Sequence, residues 1–151
     1  MEKKKHDLTP KMALDRMRKY CDYQERCHRE VRTKLLELKV YGMDLEEVIS
    51  SLIQEGYLNE ERFALAFVSG KFRIKRWGRN KIIQELKKRD VSDYCIESGL
   101  SQIDESEYIK AIRYQIDKAK SLGAKTDFDI LQYTMRKGFE NSLVREVMVN
   151  G

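Results

Sequence analysis

Positive charge is concentrated in one part of the sequence, between positions 71 and 89. This basic segment contains nine Lys or Arg residues and one acid, Glu85, for a net charge of +8, whereas the whole 151-residue chain carries only +5. Such a local excess favours an anionic partner, because few acids nearby in the sequence offset it. The residues predicted to contact that partner are Lys71, Arg73, Lys75, Arg76, Trp77, Arg79, Lys81, Lys87 and Lys88.

Two residues in the middle of the basic segment suggest what the partner is. Trp77, the only tryptophan of the chain, offers an unpaired base a stacking surface among cations. Gly78 ends one helix or opens the next, and the N–H groups of a helix start can bind a phosphate. The alternative is that Trp77 packs inside the protein and the cations form a solvated face or bind an acidic protein surface. We favour contact of Trp77 with a partner.

Residue types needed for catalysis or for a metal site are sparse. There are only two histidines, His6 and His28, and neither accompanies a credible nucleophile. The residues of a Ser-His-Asp or Cys-His catalytic site are therefore lacking. A Gly-rich phosphate loop is also missing from the sequence. Cys21, Cys27 and His28 are residue types that can bind zinc, but no second Cys-rich half accompanies them. We therefore expect no enzymatic activity, no metal and no cofactor, with the three cysteines present as reduced thiols.

The chain lacks the sequence signals of membrane insertion or export. No stretch approaches the roughly 20 apolar residues that span a bilayer. The first residues, Met1 to Asp7, are charged and contain no apolar signal-peptide core. These features predict a cytoplasmic protein without membrane contact. We also expect a monomer, and residues 1–8 are predicted to be a flexible tail.

Internal repetition indicates how the basic segment is positioned. Gly42, Asp90 and Gly138 are spaced by 48 residues, and apolar residues recur at four fixed positions around them. The four apolar columns are Leu35, Ile83 and Leu131; Met43, Val91 and Phe139; Val48, Ile96 and Val144; and Leu52, Leu100 and Met148. Together with the absence of strand alternation, this period predicts an all-α fold of three tandem three-helix repeats, at 9–56, 57–103 and 104–151. Stacked in line, such repeats form an elongated, curved solenoid.

Helix boundaries within each repeat are marked by capping residues. Thr9 is predicted to cap the first helix with Pro10 in its first turn. Asn59 and Thr126 are predicted to cap later helices in the same way. Gly42 is predicted to end the second helix of the first repeat in the left-handed conformation.

Several of these motifs resemble those of the RecX family. Residues 56–64, Gly-Tyr-Leu-Asn-Glu-Glu-Arg-Phe-Ala, are similar to the family's Gly-Tyr-Leu-(Asp/Asn)-(Asp/Glu)-Glu-Arg-Phe-Ala stretch. The run from Trp77 to Leu86 resembles the family's basic, Gly-containing turn and the Ile-x-x-Glu-Leu helix that follows it. Where the family often has Lys-Gly after that helix, this chain has Arg89-Asp90. The similarity extends from about residue 10 to residue 100.

The resemblance implies tandem three-helix repeats and a regulatory function. RecX proteins bind in the groove of the RecA recombinase filament on single-stranded DNA, where they inhibit its ATPase, strand exchange and SOS-related activity. The resemblance brings neither an enzymatic activity nor a cofactor, and it transfers only the basic residues of the second repeat. Two alternatives stay open on the residues alone: a free-standing helical nucleic-acid-binding module without a recombinase partner, and a solenoid that binds only proteins.

Overall fold

A computed structural model describes residues 8–151, and within that range the chain contains nine α-helices and no strand. The all-α prediction is thereby confirmed. The helices are α1 (Pro10–Tyr23), α2 (His28–Glu37), α3 (Gly42–Gln54), α4 (Glu60–Arg73), α5 (Arg79–Lys88), α6 (Asp93–Leu100), α7 (Glu105–Ser121), α8 (Asp127–Arg136) and α9 (Asn141–Asn150). None of these helices is both long enough and apolar enough to cross a membrane. Most of the predicted flexible tail, including His6, lies outside the described residues, and Leu8 at its end is buried.

The predicted capping residues begin their helices as expected. The side-chain oxygens of Thr9, Asn59 and Thr126 each accept a hydrogen bond from the N–H three residues further on, at 3.2, 2.9 and 3.1 Å. Pro10 follows Thr9 at the start of α1, where its missing N–H removes no helical hydrogen bond. These caps satisfy N–H groups that have no partner within the helix.

The prediction that Gly42 ends the second helix is wrong. Gly42 does have a positive φ, of 57°, but it is the first residue of α3. The residues that follow α2, α5 and α8 in the left-handed conformation are Lys39, Asp90 and Gly138, with φ of 62°, 58° and 97°. The spacing between these turns is therefore 51 and then 48 residues, because α2 ends earlier than the sequence alignment assumed.

The same offset corrects one apolar column of the alignment. Met43 was placed with Val91 and Phe139, but its side chain is 89% exposed. Val40, which directly follows the left-handed residue as Val91 and Phe139 do, is fully buried at 0% exposure. A buried apolar residue thus follows each of the three turns directly, and after α2 that residue is Val40.

Replacing Lys39 with glycine is expected to stabilise the protein. Lys39 is exposed and has left-handed backbone geometry, which costs a non-glycine residue about 1–2 kcal/mol. We expect Lys39→Gly to raise the free energy of unfolding by about 1 kcal/mol in urea titrations followed by circular dichroism. The control is Lys19→Gly in the exposed interior of α1, which should lower it by about 1 kcal/mol. Equal loss in both variants would contradict the assigned turn.

The described chain forms two compact units. Unit 1 comprises residues 8–63 together with Arg89–Val91, and unit 2 comprises Ala64–Lys88 together with Ser92–Gly151. The division into three repeats at 9–56, 57–103 and 104–151 stays a prediction, as does their assembly into a curved solenoid.

Unit 1 is held together by packing of α1 and α2 on α3. Its core is apolar, and the side chains of Met17, Leu35 and Leu52 are almost fully buried. At the surface the Arg18 guanidinium binds both carboxylate oxygens of Glu55, at 2.6 and 2.9 Å. The hydrophobic core, not this exposed ion pair, supplies most of the stability.

Unit 2 is centred on α7, which packs against α8 and α9. Tyr108 of α7 and Phe139 in the α8–α9 turn are the two largest fully buried side chains. The Tyr108 ring lies between Phe72 of α4 and Phe139, with centroid distances of 5.9 and 5.4 Å. This aromatic stack fixes the end of α4, where the basic segment begins, against α7.

Candidate nucleic-acid interface

Most of the predicted contact residues lie on a sharp corner between two helices of unit 2. Residues 71–81 contain the end of α4, a five-residue connection (74–78) and the start of α5, and we call them the α4–α5 corner. The connection folds back tightly, because the N–H groups of Lys75 and Trp77 donate to the carbonyls of Gly70 and Lys71, at 3.3 and 3.0 Å.

The start of α5 is not available to a phosphate, so this sequence prediction is wrong. Gly78 and Asn80 donate their N–H groups to carbonyl oxygens of the α8–α9 turn, at 2.7 and 2.9 Å. The N–H of Arg79 donates to the Tyr108 hydroxyl at 3.0 Å. Since all three N–H groups already have acceptors within the protein, this helix start serves to dock α5.

Two glycines make this docking possible. A Cβ atom added to Gly78 would lie 2.5 Å from the carbonyl carbon of Gly138, and a Cβ added to Gly138 would lie 2.4 Å from the Cβ of Lys81. Cβ atoms do not approach other heavy atoms so closely. Gly78 therefore marks a backbone-to-backbone contact between the corner and the α8–α9 turn.

Two arginines of the corner are bound to carboxylates. Arg73 pairs with Glu107 through two hydrogen bonds of 3.3 Å. Arg79 binds Glu105 at 3.0 Å and Glu140 at 3.2 Å. Sequence reasoning missed these acids because they lie 26 to 61 residues away along the chain.

Four lysines and one arginine of the basic segment have no such partner within the part of the chain that the structure describes. Within the described residues no ion pair engages Lys71, Lys75, Arg76, Lys81 or Lys87, whereas Lys88 binds Glu85 at 3.2 Å. We call Lys71, Lys75, Arg76 and Lys81 the unpaired cations of the corner. Their charge is available to an anionic partner, because no internal carboxylate has to be displaced first.

Trp77 is half-buried beside two of the unpaired cations. The ammonium groups of Lys71 and Lys81 lie 5.0 and 4.5 Å from the centroid of its ring. At these distances the aromatic ring attracts both charges. Stacking of Trp77 on a base stays a prediction. In the structure, the ring also holds two ammonium groups close to it.

Arg76 is held by a side chain that the sequence did not point to. Its backbone has a positive φ of 61°, and its carbonyl accepts a hydrogen bond from Nε2 of Gln115 at 3.0 Å. Its guanidinium lies over the ring of Tyr114, 3.8 Å from the centroid. The one signal in the sequence is that Tyr114 lies off the apolar stripe of α7, which Ile112 and Ile116 form. In the structure its side chain is 41% exposed.

The cysteines and histidine considered for a metal site have other environments in unit 1. Cys21 and Cys27 are buried, and burial raises the pKa of their thiols to about 11 and about 12. His28 contacts Glu60, with 3.2 Å between Nδ1 and Oε2. Among the described residues, no three His, Cys, Asp or Glu side chains are grouped to hold a metal ion. The two thiols act as protonated core groups.

Comparison with known proteins identifies the domain that contains the α4–α5 corner. Residues 59–100, which include α4, α5 and α6, match the family model described as "RecX, second three-helix domain". A "Regulatory protein RecX" of Lactobacillus johnsonii is 30% identical over 111 residues, covering 74% of this chain and 41% of that protein. The protein of the same name from Bacillus velezensis is 30% identical over 143 residues, covering 91% of this chain and 54% of that protein. The chain belongs to the RecX family.

Solved RecX structures have the same fold. One titled "Crystal structure of regulatory protein RecX" superposes with a TM-score of 0.85 at 19% identity, covering 93% of this chain and 73% of the other. The RecX structure from Lactobacillus salivarius gives a TM-score of 0.82 at 20% identity, covering 93% of this chain and 95% of the other. The chain spans about half the length of the curated RecX relatives it matches.

The whole α4–α5 corner falls within the matched RecX domain. Its unpaired cations, its half-buried Trp77 and its docking through Gly78 are thus features of the part of this chain that is most clearly RecX-like.

Proposed function

We propose that this RecX-family chain is a regulator without enzymatic activity. In this proposal it binds a RecA-type recombinase filament on single-stranded DNA and restrains its ATPase, strand exchange and SOS-related activity. The observation that carries the proposal is the α4–α5 corner, which presents four unpaired cations, two of them beside the half-buried ring of Trp77. The regulatory role accords with the name that the relatives bear, "Regulatory protein RecX".

The corner suits a polyanionic filament for electrostatic reasons. Single-stranded DNA presents one phosphate per nucleotide, and cations that neutralise phosphates release bound counterions. Lys71, Lys75, Arg76 and Lys81 provide this charge on one short stretch, and Lys87 extends it along α5. Trp77 adds an aromatic surface on which an unpaired base can stack.

The remaining predicted contacts take a smaller part in this proposal. Arg73, Arg79 and Lys88 each hold a carboxylate within the protein, which a phosphate has to replace. We assign Arg73 and Arg79 mainly to positioning, because they connect the corner to acids of α7 and of the α8–α9 turn.

A second candidate function is nucleic-acid binding without a recombinase partner. The same unpaired cations favour it, because phosphate attraction does not depend on a protein coating the strand. The two functions differ in what they do to the recombinase, so they are separated by assays of the filament and of the bare strand carried out side by side.

The test is ATP hydrolysis by RecA on poly(dT) with increasing amounts of this chain. We expect hydrolysis to fall at concentrations below those that saturate the same strand in the absence of RecA, as measured by fluorescence polarisation. A chain that coats the bare strand tightly while leaving RecA turnover unchanged is instead the free-standing module.

A further inference from the structure

Arg76 stands apart from the two neighbouring arginines of the α4–α5 corner. Arg73 and Arg79 have carboxylate partners, whereas in the described residues Arg76 has none. Its guanidinium instead lies over the exposed ring of Tyr114, 3.8 Å from the centroid. In that arrangement the ring occupies one face of the guanidinium and leaves the N–H donors in its plane free to bind an anion.

Two residues of α7 contact Arg76, one at its backbone carbonyl and the other at its guanidinium. Gln115, which is buried, donates from Nε2 to the carbonyl of Arg76, and its neighbour Tyr114 lies under the guanidinium. The backbone of Arg76 is in the left-handed region, with φ of 61°, which is unfavourable for any residue with a side chain. The hydrogen bond from Gln115 holds the backbone of Arg76 in this conformation, and the ring of Tyr114 holds the guanidinium.

We propose that Arg76 and Tyr114 form a preorganised receptor for one phosphodiester group of single-stranded nucleic acid. Arg76 is the contact, since a guanidinium binds two oxygens of a phosphate through parallel N–H donors. Tyr114 is a positioning residue, which orders the guanidinium before the strand arrives and so reduces the entropy lost on binding. The proposal rests on the proposed function in taking nucleic acid as the partner, and it adds a residue of α7 to the interface.

The experiment measures binding of a fluorescein-labelled dT oligonucleotide to the full chain over a series of salt concentrations. Arg76→Ala should weaken binding about tenfold and lower the slope of log affinity against log salt by about 0.7, the loss of one phosphate contact. Tyr114→Ala should weaken binding about two- to fivefold with the slope unchanged, because the charge is still present. Tyr114→Phe should bind like the wild type, since the ring is retained.

The matched control is Arg136→Ala, which removes an exposed arginine from the end of α8. It should change affinity less than twofold. Equal effects of Arg76→Ala and Arg136→Ala would overturn the proposal in favour of bulk charge, and so would a Tyr114→Phe variant as weak as Tyr114→Ala.

ATPase suppression by the same variants keeps this proposal distinct from the proposed function. If the wild type fails to suppress RecA but Arg76→Ala loses a phosphate contact, only the recombinase partnership fails. If Arg76→Ala binds the oligonucleotide normally and yet loses suppression, Arg76 contacts the recombinase itself and the phosphate receptor is wrong.

Discussion

Gly78→Ala is expected to lower the free energy of unfolding by about 3 kcal/mol or more, because no space exists for a methyl group at this position. A Cβ on Gly78 would lie 2.5 Å from both the carbonyl carbon and the carbonyl oxygen of Gly138, and 2.6 Å from the nitrogen of Phe139. All three atoms belong to backbone, so a side-chain rotation cannot relieve the clash. Separating the segments also breaks the hydrogen bonds that Gly78 and Asn80 donate to the α8–α9 turn.

Urea denaturation followed by circular dichroism measures this loss, and Gly70 provides the matched control. Gly70 lies within α4, and a Cβ added there has no neighbour within 4 Å. Gly70→Ala should therefore raise the free energy of unfolding by about 0.5–1 kcal/mol, as expected for alanine in a helix interior. A Gly78→Ala midpoint equal to that of the wild type would show that α5 does not approach the α8–α9 turn this closely.

Tyr108→Ala is expected to cost about 3–5 kcal/mol of unfolding free energy, the range for removing a large aromatic side chain from a core. Tyr108 is fully buried between Phe72 and Phe139. Its hydroxyl donates to Glu140 and accepts the N–H of Arg79. Burial raises the pKa of Tyr108 above its ordinary value, so the hydroxyl stays protonated and keeps donating even at a pH where an exposed tyrosine ionises.

A conservative variant separates the ring from the hydroxyl. Tyr108→Phe keeps the aromatic stack but leaves the Glu140 carboxylate and the Arg79 N–H without this partner, and we expect it to cost about 1–3 kcal/mol. Tyr94→Ala, on the exposed face of α6, is the control and should change the unfolding free energy by less than about 0.5 kcal/mol. Similar losses in Tyr94→Ala and Tyr108→Ala would contradict the assigned core.

The helical architecture was predictable because its signals are local. Capping side chains such as Thr9 and Thr126 act on N–H groups three residues away, and apolar spacing marks each buried face. The offset in the first copy was not predictable, because Lys39 takes a left-handed conformation that the sequence suggested for Gly42. Composition favours glycine there, yet the position of a turn is decided by which residues the core buries, here Val40 and not Met43.

The candidate site was predictable in location and only partly in detail. The charge of residues 71–89 identified the corner, since a net charge is visible in any sequence. The division of its arginines was not visible, because Glu107 and Glu140 approach Arg73 and Arg79 only in the folded chain. The contact between the Tyr114 ring and the Arg76 guanidinium was not visible either, because it depends on the packing of α7.

These ion pairs also change how the interface should be tested. Replacing Arg73, Lys75, Arg76 and Arg79 together by alanine removes the arginine partners of Glu107 and Glu140, so lost binding can reflect lost structure. Replacing the unpaired cations avoids this problem, because within the described residues they bind no carboxylate. Alanine is also a good helix former at the two positions that lie in α4 and α5, Lys71 and Lys81.

RecA ATP hydrolysis on single-stranded DNA tests the proposed function most directly when it is measured with three forms of this chain. They are the wild type, a variant with Lys71, Lys75, Arg76 and Lys81 changed to Ala, and a control with the exposed Lys118, Lys120, Lys125 and Arg136 changed to Ala. Both variants lose four positive charges, and circular dichroism should show equal helicity in all three. We expect the wild type and the control to suppress hydrolysis and the corner variant not to do so. Undiminished suppression by the corner variant, or unchanged hydrolysis with the wild type, would contradict this expectation.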